Sequence, residues 1–180
     1  RTDNNNIVDI QPLTERGGTE ILIFAPSGEN LFSRITAVLD QLGLNVVNAG
    51  ITTTTDNHIL DTFDVLEESG KPVTNDMRIE EIRTALLDEI NNSDRKPWQI
   101  TRRTPHRYRH FPIKTHLEFK QDSFDRRTVM ELVTADRPGL LSQIARAFTD
   151  CGVKLLNAKI ATLGTRVEDV YYITDNNNEP

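Results

Sequence analysis

The residues best suited to chemistry form a short turn, Asp136 to Leu141. Asp136 supplies a carboxylate, and Gly139 lets the backbone approach a ligand closely. The apolar periodicity that begins at Leu140 predicts a helix, whose first N–H groups have no intrahelical partner and attract an anion. Such a turn suits a zwitterionic amino acid, because the N–H groups can bind its carboxylate while Asp136 attracts its ammonium group. The residues alone leave a second interpretation open, in which Asp136 caps the helix and nothing binds.

The segment that carries this turn occurs twice in the chain. The pair Asn48 and Ala49 recurs as Asn157 and Ala158, and several apolar and glycine positions agree at the same offset. After the next hairpin the offset falls by one, which aligns Asp61 with Asp169 and Phe63 with Tyr171. Apolar residues align by chance more readily than glycine and Asn-Ala at fixed places, so we interpret the agreement as an internal duplication.

Hydrophobic periodicity places each motif on a predicted element. The first copy is predicted to contain, in order, a strand over 20–24, a helix from Leu31 to Leu42, strands over 44–54 and 58–66, a helix over 79–90 and a strand over 113–119. Thr74 or Asn75 is expected to cap the second helix. The second copy repeats a strand over 128–134, a helix over 140–151 and strands near 153–162 and 167–174. The order βαββαβ predicts an α+β, ferredoxin-like fold with antiparallel sheets and helices on one face.

The expected organisation has three parts: a linker over 1–18 that ends in a short strand near Ile7 to Ile10, a first domain over 19–120 that contains a basic linker over 92–112, and an incomplete second domain over 126–180. The second copy stops where its second helix should begin, so we expect the chain to be a piece of a longer protein. Between Arg95 and Arg127, ten Lys and Arg face only three acidic residues. We interpret this stretch as a solvated linker or docking surface rather than a nucleic-acid patch.

Composition and the histidines favour a cytoplasmic, non-catalytic protein. No apolar run approaches the ~18 residues that span a bilayer, and the first residues do not resemble a signal peptide. Cys151 cannot form an internal disulfide, and we expect it to face the core at the end of a helix. His106 and His110 are four residues apart but lack the glutamate of a zinc protease, and His58 and His116 have no metal-binding spacing. We therefore expect no catalytic residue, no metal and no cofactor in this chain.

The chain resembles the ACT domain, a regulatory amino-acid-binding fold whose hallmark is an Asp-x-x-Gly-Leu turn after the first strand. The resemblance is closer to the C-terminal tandem ACT region of the bifunctional PII uridylyltransferase/uridylyl-removing enzymes and covers nearly the whole chain. The segments that carry it are Arg16 to Glu20, Asn30 to Phe32, Leu60 to Phe63, Asp136 to Leu141, Leu156 to Gly164 and Arg166 to Val170.

The resemblance implies that this region reports L-glutamine to catalytic domains elsewhere in a longer enzyme. Those domains, which require Mg²⁺, add UMP to the PII signalling protein when glutamine is scarce and remove it when glutamine is abundant, thereby controlling nitrogen assimilation. ACT units commonly pair side by side, within or between chains, and bind ligands at the interface between them. The ligand-binding positions that the resemblance implies are Asp136, Arg137, Pro138, Gly139, Leu140, Leu141, Asn157 and Ala158, with Ser27, Gly28, Asn30, Leu31 and Asn48 in the first copy.

The first copy departs from the hallmark. Ser27 replaces the aspartate, which removes an ammonium partner, and Asn30 replaces the glycine, although asparagine tolerates a left-handed backbone. Three alternatives stay open: an ACT pair that senses another amino acid, a purely structural dimerisation module, and an RNA-recognition domain of the same element order. The last is disfavoured because adjacent Tyr171 and Tyr172 should point to opposite faces of a strand and cannot form one stacking platform.

Overall fold

A computed structural model describes residues 6–12, 14, 17–28, 30–54, 56–92, 113–122, 124–163 and 165–180. The helices are α1 (Leu31–Gln41), α2 (Asp76–Asn91) and α3 (Leu140–Asp150). The strands are β1 (Ile7–Gln11), β2 (Thr19–Pro26), β3 (Leu44–Thr53), β4 (His58–Glu67), β5 (His116–Asp122), β6 (Arg127–Ala135), β7 (Val153–Lys159), β8 (Thr162–Leu163) and β9 (Arg166–Asp175). Every observed strand pair is antiparallel, so the α+β class with an antiparallel sheet is confirmed.

The described strands form one continuous sheet in the order β1-β2-β4-β3-β7-β9-β6-β5, with β8 beside β9. Helices α1 and α3 pack against each other and against one face of this sheet, where their apolar stripes are buried. Phe32 of α1 stacks on Phe63 of β4, and Phe148 of α3 meets Tyr171 of β9 edge-on. Among the described residues, no helix is long and apolar enough to cross a membrane.

The two repeats have several elements with matching limits. Helices α1 and α3 begin and end at positions that the duplication makes equivalent, and so do strands β4 and β9. Both copies also carry a bulge at equivalent places, at Val47 in β3 and at Leu156 in β7. A bulge at the same place in both copies is a specific feature of the strand rather than a local irregularity, and its recurrence agrees with the internal duplication.

The two repeats pair with each other inside one chain, about an approximate twofold axis. Strands β3 and β7 run antiparallel with Ala49 opposite Ala158, residues that are equivalent by the repeat. Above them, the Ser33 hydroxyl donates to the Ser142 carbonyl and the Ser142 hydroxyl donates to the Ser33 carbonyl, each at 2.9 Å. We call this junction of β3 with β7 and of α1 with α3 the seam.

Strand β5 lies in a place that the sequence did not indicate. The order of elements assigned residues 113–119 to the last strand of the first copy, but β5 pairs with β6 of the second. Its equivalent in the first copy is β1, which begins at the matching position of the repeat and pairs with β2. The short strand expected near Ile7 to Ile10 therefore belongs to the sheet, while the domain limits themselves stay a prediction.

Two further local expectations had different outcomes. The expectation that Asn75 caps α2 is confirmed, because its Oδ1 accepts a hydrogen bond from the Arg78 N–H at 3.1 Å. The expectation that Cys151 faces the core is wrong, since the residue is exposed. Helix α3 ends at Asp150, and Cys151 is the capping residue after it, so its side chain leaves the packed face of the helix.

Candidate ligand-binding clefts

A cleft lies on each side of the seam, and each cleft is built from both repeats. The first, which we call the Asp136 cleft, has a cavity volume of about 90 Å³. The second-repeat turn supplies Asp136, Arg137, Gly139, Leu140 and Leu141, and Asp169 lines the same space. The first repeat supplies Thr36, Asp40 and Asn45. A ligand in this cleft would therefore contact both halves of the molecule.

The turn of the Asp136 cleft leaves the start of α3 open to a ligand. Gly139 precedes the helix in the left-handed conformation, with φ of 76°. The Asp136 N–H donates to the Thr165 carbonyl at 2.9 Å, which attaches the turn to the start of β9, and the Leu140 N–H donates to the Arg137 carbonyl at 3.1 Å. Gly139, the N-cap residue of α3, has no side chain with which to cap the helix. Asp136 itself is exposed.

Asp169 also lines this cleft. The repeat aligns it with Asp61, but it is not among the predicted ligand-binding residues. Only 3% of the residue is exposed, and its carboxylate accepts hydrogen bonds from the Tyr171 hydroxyl at 2.7 Å and from the Ala161 N–H at 3.2 Å. Burial raises the pKa of Asp169 to about 6, the two hydrogen bonds oppose that rise, and the nearby charge of Asp136 adds to it. With Asp40 also present, the cleft is acidic and favours a ligand with an ammonium group.

The second cleft, which we call the Ser27 cleft, is the counterpart of the first under the approximate twofold axis. Its cavity volume is about 710 Å³. The first-repeat turn supplies Ser27, Gly28, Asn30 and Leu31, and Asp61 lines the cleft at the position of Asp169. Helix α3 and β7 supply Ala145, Thr149 and Lys154 from the second repeat. Asn30 has the left-handed backbone expected of it, with φ of 56° and ψ of 18°.

The remaining predicted positions lie outside these clefts. Pro138 shapes the turn without lining the cleft, and Ala158 is buried at the seam. Asn157 pairs with Tyr172, whereas the neighbouring Tyr171 packs under α3, so the Asn157 side chain points to the sheet face away from the helices. Asn48 is on that same face, where its amide donates to Asp64 at 3.2 Å beside a third hollow.

The period-two pattern of the strands could have identified the buried carboxylates. Ile59, Asp61 and Phe63 alternate along β4 and therefore share one face, which is otherwise apolar. Asp169 lies between Val167 and Tyr171 in the same way on β9. An aspartate inside an apolar stripe, repeated at the equivalent position of a duplicated unit, indicates a functional or specifically paired carboxylate rather than a solvated one.

The histidines in the described part of the chain do not assemble a metal site. His58 stacks on Phe24 and approaches Asp56, and His116 lies exposed on β5. No group of three or more His, Cys, Asp or Glu that could hold a metal ion occurs in the part of the chain that the structure describes. His106, His110 and most of the basic stretch lie outside the described residues.

The chain is similar to bacterial proteins named bifunctional uridylyltransferase/uridylyl-removing enzyme. A relative from Pseudomonas fluorescens is 42% identical over 182 aligned positions, which cover 99% of this chain and 20% of the relative. Relatives from Ectopseudomonas mendocina and Azotobacter vinelandii are 41% and 39% identical, over 99% and 97% of this chain. The chain is homologous to a segment of these enzymes. It spans about one fifth of the length of the curated relatives it matches. No family model and no solved structure matches the chain.

Proposed function

We propose that this chain is a regulatory amino-acid sensor that binds L-glutamine in the Asp136 cleft, and that the signal controls a bifunctional uridylyltransferase/uridylyl-removing enzyme acting on the PII protein. The observation that carries the proposal is that one cleft combines the start of α3, where the N-cap residue is glycine, with an acidic cluster. The first feature is complementary to a carboxylate and the second to an ammonium group, and a free amino acid carries both. The choice of glutamine rests on the ACT resemblance, and the parent activity rests on the names of the homologues.

The polar side chains of the cleft also fit a carboxamide. Asn45 offers both a donor and an acceptor, as a carboxamide does. The sequence suggests Asn157 for such a contact, because it too offers a donor and an acceptor, but Asn157 faces the other side of the sheet. Because Asn45 comes from the first repeat and Asp136 from the second, a bound glutamine would connect the two halves and stabilise their seam. Stabilising one arrangement of the repeats is how the ligand would act on the rest of a longer enzyme.

Calorimetric titration of the chain tests the proposal directly. L-Glutamine should bind, while L-glutamate, L-asparagine and L-serine should bind at least about tenfold more weakly. Asp136→Asn should remove binding in the Asp136 cleft, whereas Asp9→Asn, an equal loss of charge on an exposed residue of β1, should leave it unchanged. If no amino acid binds the wild-type chain, the sensor role is refuted and a purely structural pairing module is favoured. Binding that survives Asp136→Asn at full strength would refute the location.

A further inference from the structure

The Ser27 cleft contains a buried carboxylate with an unsatisfied hydrogen-bond acceptor among the described residues. Asp61 is 1% exposed, and its Oδ1 has no hydrogen-bond partner among the described residues. The Thr52 backbone N–H provides one hydrogen bond to the carboxyl group, but burial still raises the pKa of Asp61 to about 7. A buried ionised oxygen without a donor is costly, so natural proteins usually pair it.

Comparison of the two repeats shows which partner is missing. At the equivalent place, the Asp169 carboxylate receives a backbone N–H and the Tyr171 hydroxyl. Phe63 stands where Tyr171 stands, and its ring has no hydroxyl to donate. Asp61 therefore keeps the backbone hydrogen bond and lacks the phenolic one. The buried carboxylates of the two clefts therefore differ in this donor.

Other groups in the Ser27 cleft complement a ligand that brings both a donor and an anion. Asn30 Oδ1 is a second buried acceptor without a partner among the described residues. Asn30, the N-cap residue of α1, makes no side-chain cap hydrogen bond. Lys154 adds a positive charge from the second repeat, and its Nζ donates to the Asn176 carbonyl at 2.8 Å and to Asn178 Oδ1 at 3.3 Å. Two unfilled acceptors with a helix start and a lysine suit an ammonium group and a carboxylate on one molecule.

We propose that the Ser27 cleft is a second binding site for a zwitterionic amino acid, in which Asp61 binds the ligand's ammonium group and the start of α1 with Lys154 binds its carboxylate. Asp61 thus binds the ammonium group in this cleft, as Asp136 does in the other, but from a deeper position on the sheet. The class of ligand follows from the proposed function, but the residues and the cleft are different, so the two proposals can fail separately.

Titration of the intact chain with L-glutamine, and with Nα-acetyl-L-glutamine as a probe without an ammonium group, tests the second site. The wild-type chain should bind two glutamines and neither site should bind the acetylated probe. Asp61→Asn should weaken the Ser27 site by about tenfold or more and leave the other site intact. Asp136→Asn should have the opposite effect, and Asp9→Asn should change neither site.

A second variant keeps Asp61 and supplies the hydroxyl donor that the first repeat lacks. Phe63→Tyr combined with Phe32→Leu rebuilds in the first repeat the arrangement that Tyr171 and Leu141 have in the second. The new hydroxyl should occupy Asp61 and weaken the Ser27 site by about tenfold or more, while the chain stays folded by circular dichroism. Phe32→Leu alone is the matched control and should bind at both sites.

The outcomes separate the two proposals. One glutamine site that Asp136→Asn removes and Asp61→Asn does not would overturn the second site and leave the sensor proposal standing. One site that only Asp61→Asn removes would support the second site and refute the Asp136 location. Two sites that both survive Asp61→Asn would overturn the role of Asp61, and no binding to the wild-type chain would overturn both proposals.

Discussion

Burial of Asp61 should make the folded chain less stable as the pH rises toward neutrality. The pKa of Asp61 is about 7 in the folded chain, against 3.8 for an ordinary aspartate. Between these two values the folded state holds a proton that the unfolded state has released. The free energy of unfolding therefore falls as the pH rises through that window. The contribution of Asp61 is most favourable below pH 3.8, and its loss is complete above pH 7. The direction is opposite to that of a salt-bridged aspartate.

The size of the effect follows from the shift. A difference of about three pKa units corresponds to about 4 kcal/mol at about 1.36 kcal/mol per unit. Integrating the two titrations gives about 2 to 3 kcal/mol of that loss between pH 5 and pH 8. This is a large part of the about 5–15 kcal/mol that holds a typical domain folded. Asp169 contributes in the same direction with a smaller shift, because its pKa rises only to about 6.

Urea unfolding of the wild-type chain and of Asp61→Asn at several pH values from 5 to 8, in buffer free of amino acids, measures this loss. Asparagine cannot ionise but still accepts the Thr52 N–H, so the wild-type chain should lose about 2 to 3 kcal/mol relative to the variant between pH 5 and pH 8. Asp9→Asn, on the exposed side of β1, should follow the wild-type chain at every pH. Parallel curves for wild type and Asp61→Asn would refute the burial of an unpaired carboxylate at this position.

Substitutions at four other positions test three separate features of the fold. Gly139→Ala should destabilise the chain by about 1–2 kcal/mol in thermal unfolding because φ is 76° there, whereas Gly139→Asn should cost less, as Asn30 adopts the same conformation. Tyr171→Phe removes the donor to the buried Asp169 and should cost about 1–3 kcal/mol in urea unfolding at pH 7; unchanged stability would contradict the hydrogen bond. Val8→Ala should cost about 2 kcal/mol because α2 covers β1, while Leu117→Ala at the equivalent exposed position should cost about 0.5 kcal/mol or less.

Local signals in the sequence predicted much of the fold. The spacing of Ile35, Val38 and Leu39 fixes the buried face of α1, and the left-handed backbone at Asn30 follows from its alignment with a glycine. The duplication placed equivalent elements at the correct offset. Each of these inferences depends on neighbouring residues or on internal comparison, and none requires knowledge of which strands pair in space.

Features that depend on non-local pairing were not predictable in the same way. The residues of β5 read correctly as a strand, but nothing in 116–122 indicates that the partner is β6 rather than β2. The side of the sheet that Asn157 faces depends on the bulge at Leu156, which shifts the alternation by one residue. The carboxylates of Asp61 and Asp169 were visible in the alternation, but their place in the clefts depends on the seam.

The common dependence of both clefts on the seam has a thermodynamic consequence. The Asp136 cleft needs Asn45 from the first repeat, and the Ser27 cleft needs Lys154 from the second, so separating the repeats would dismantle both sites at once. A ligand in either cleft would bind only the paired arrangement and would stabilise it. Linkage then requires that a ligand in one cleft raises the affinity of the other cleft. The size of this coupling depends on the fraction of ligand-free chains in which the repeats are separated. The reciprocal hydrogen bonds of Ser33 and Ser142 hold that seam, so Ser33→Ala with Ser142→Ala should increase the coupling while weakening both affinities.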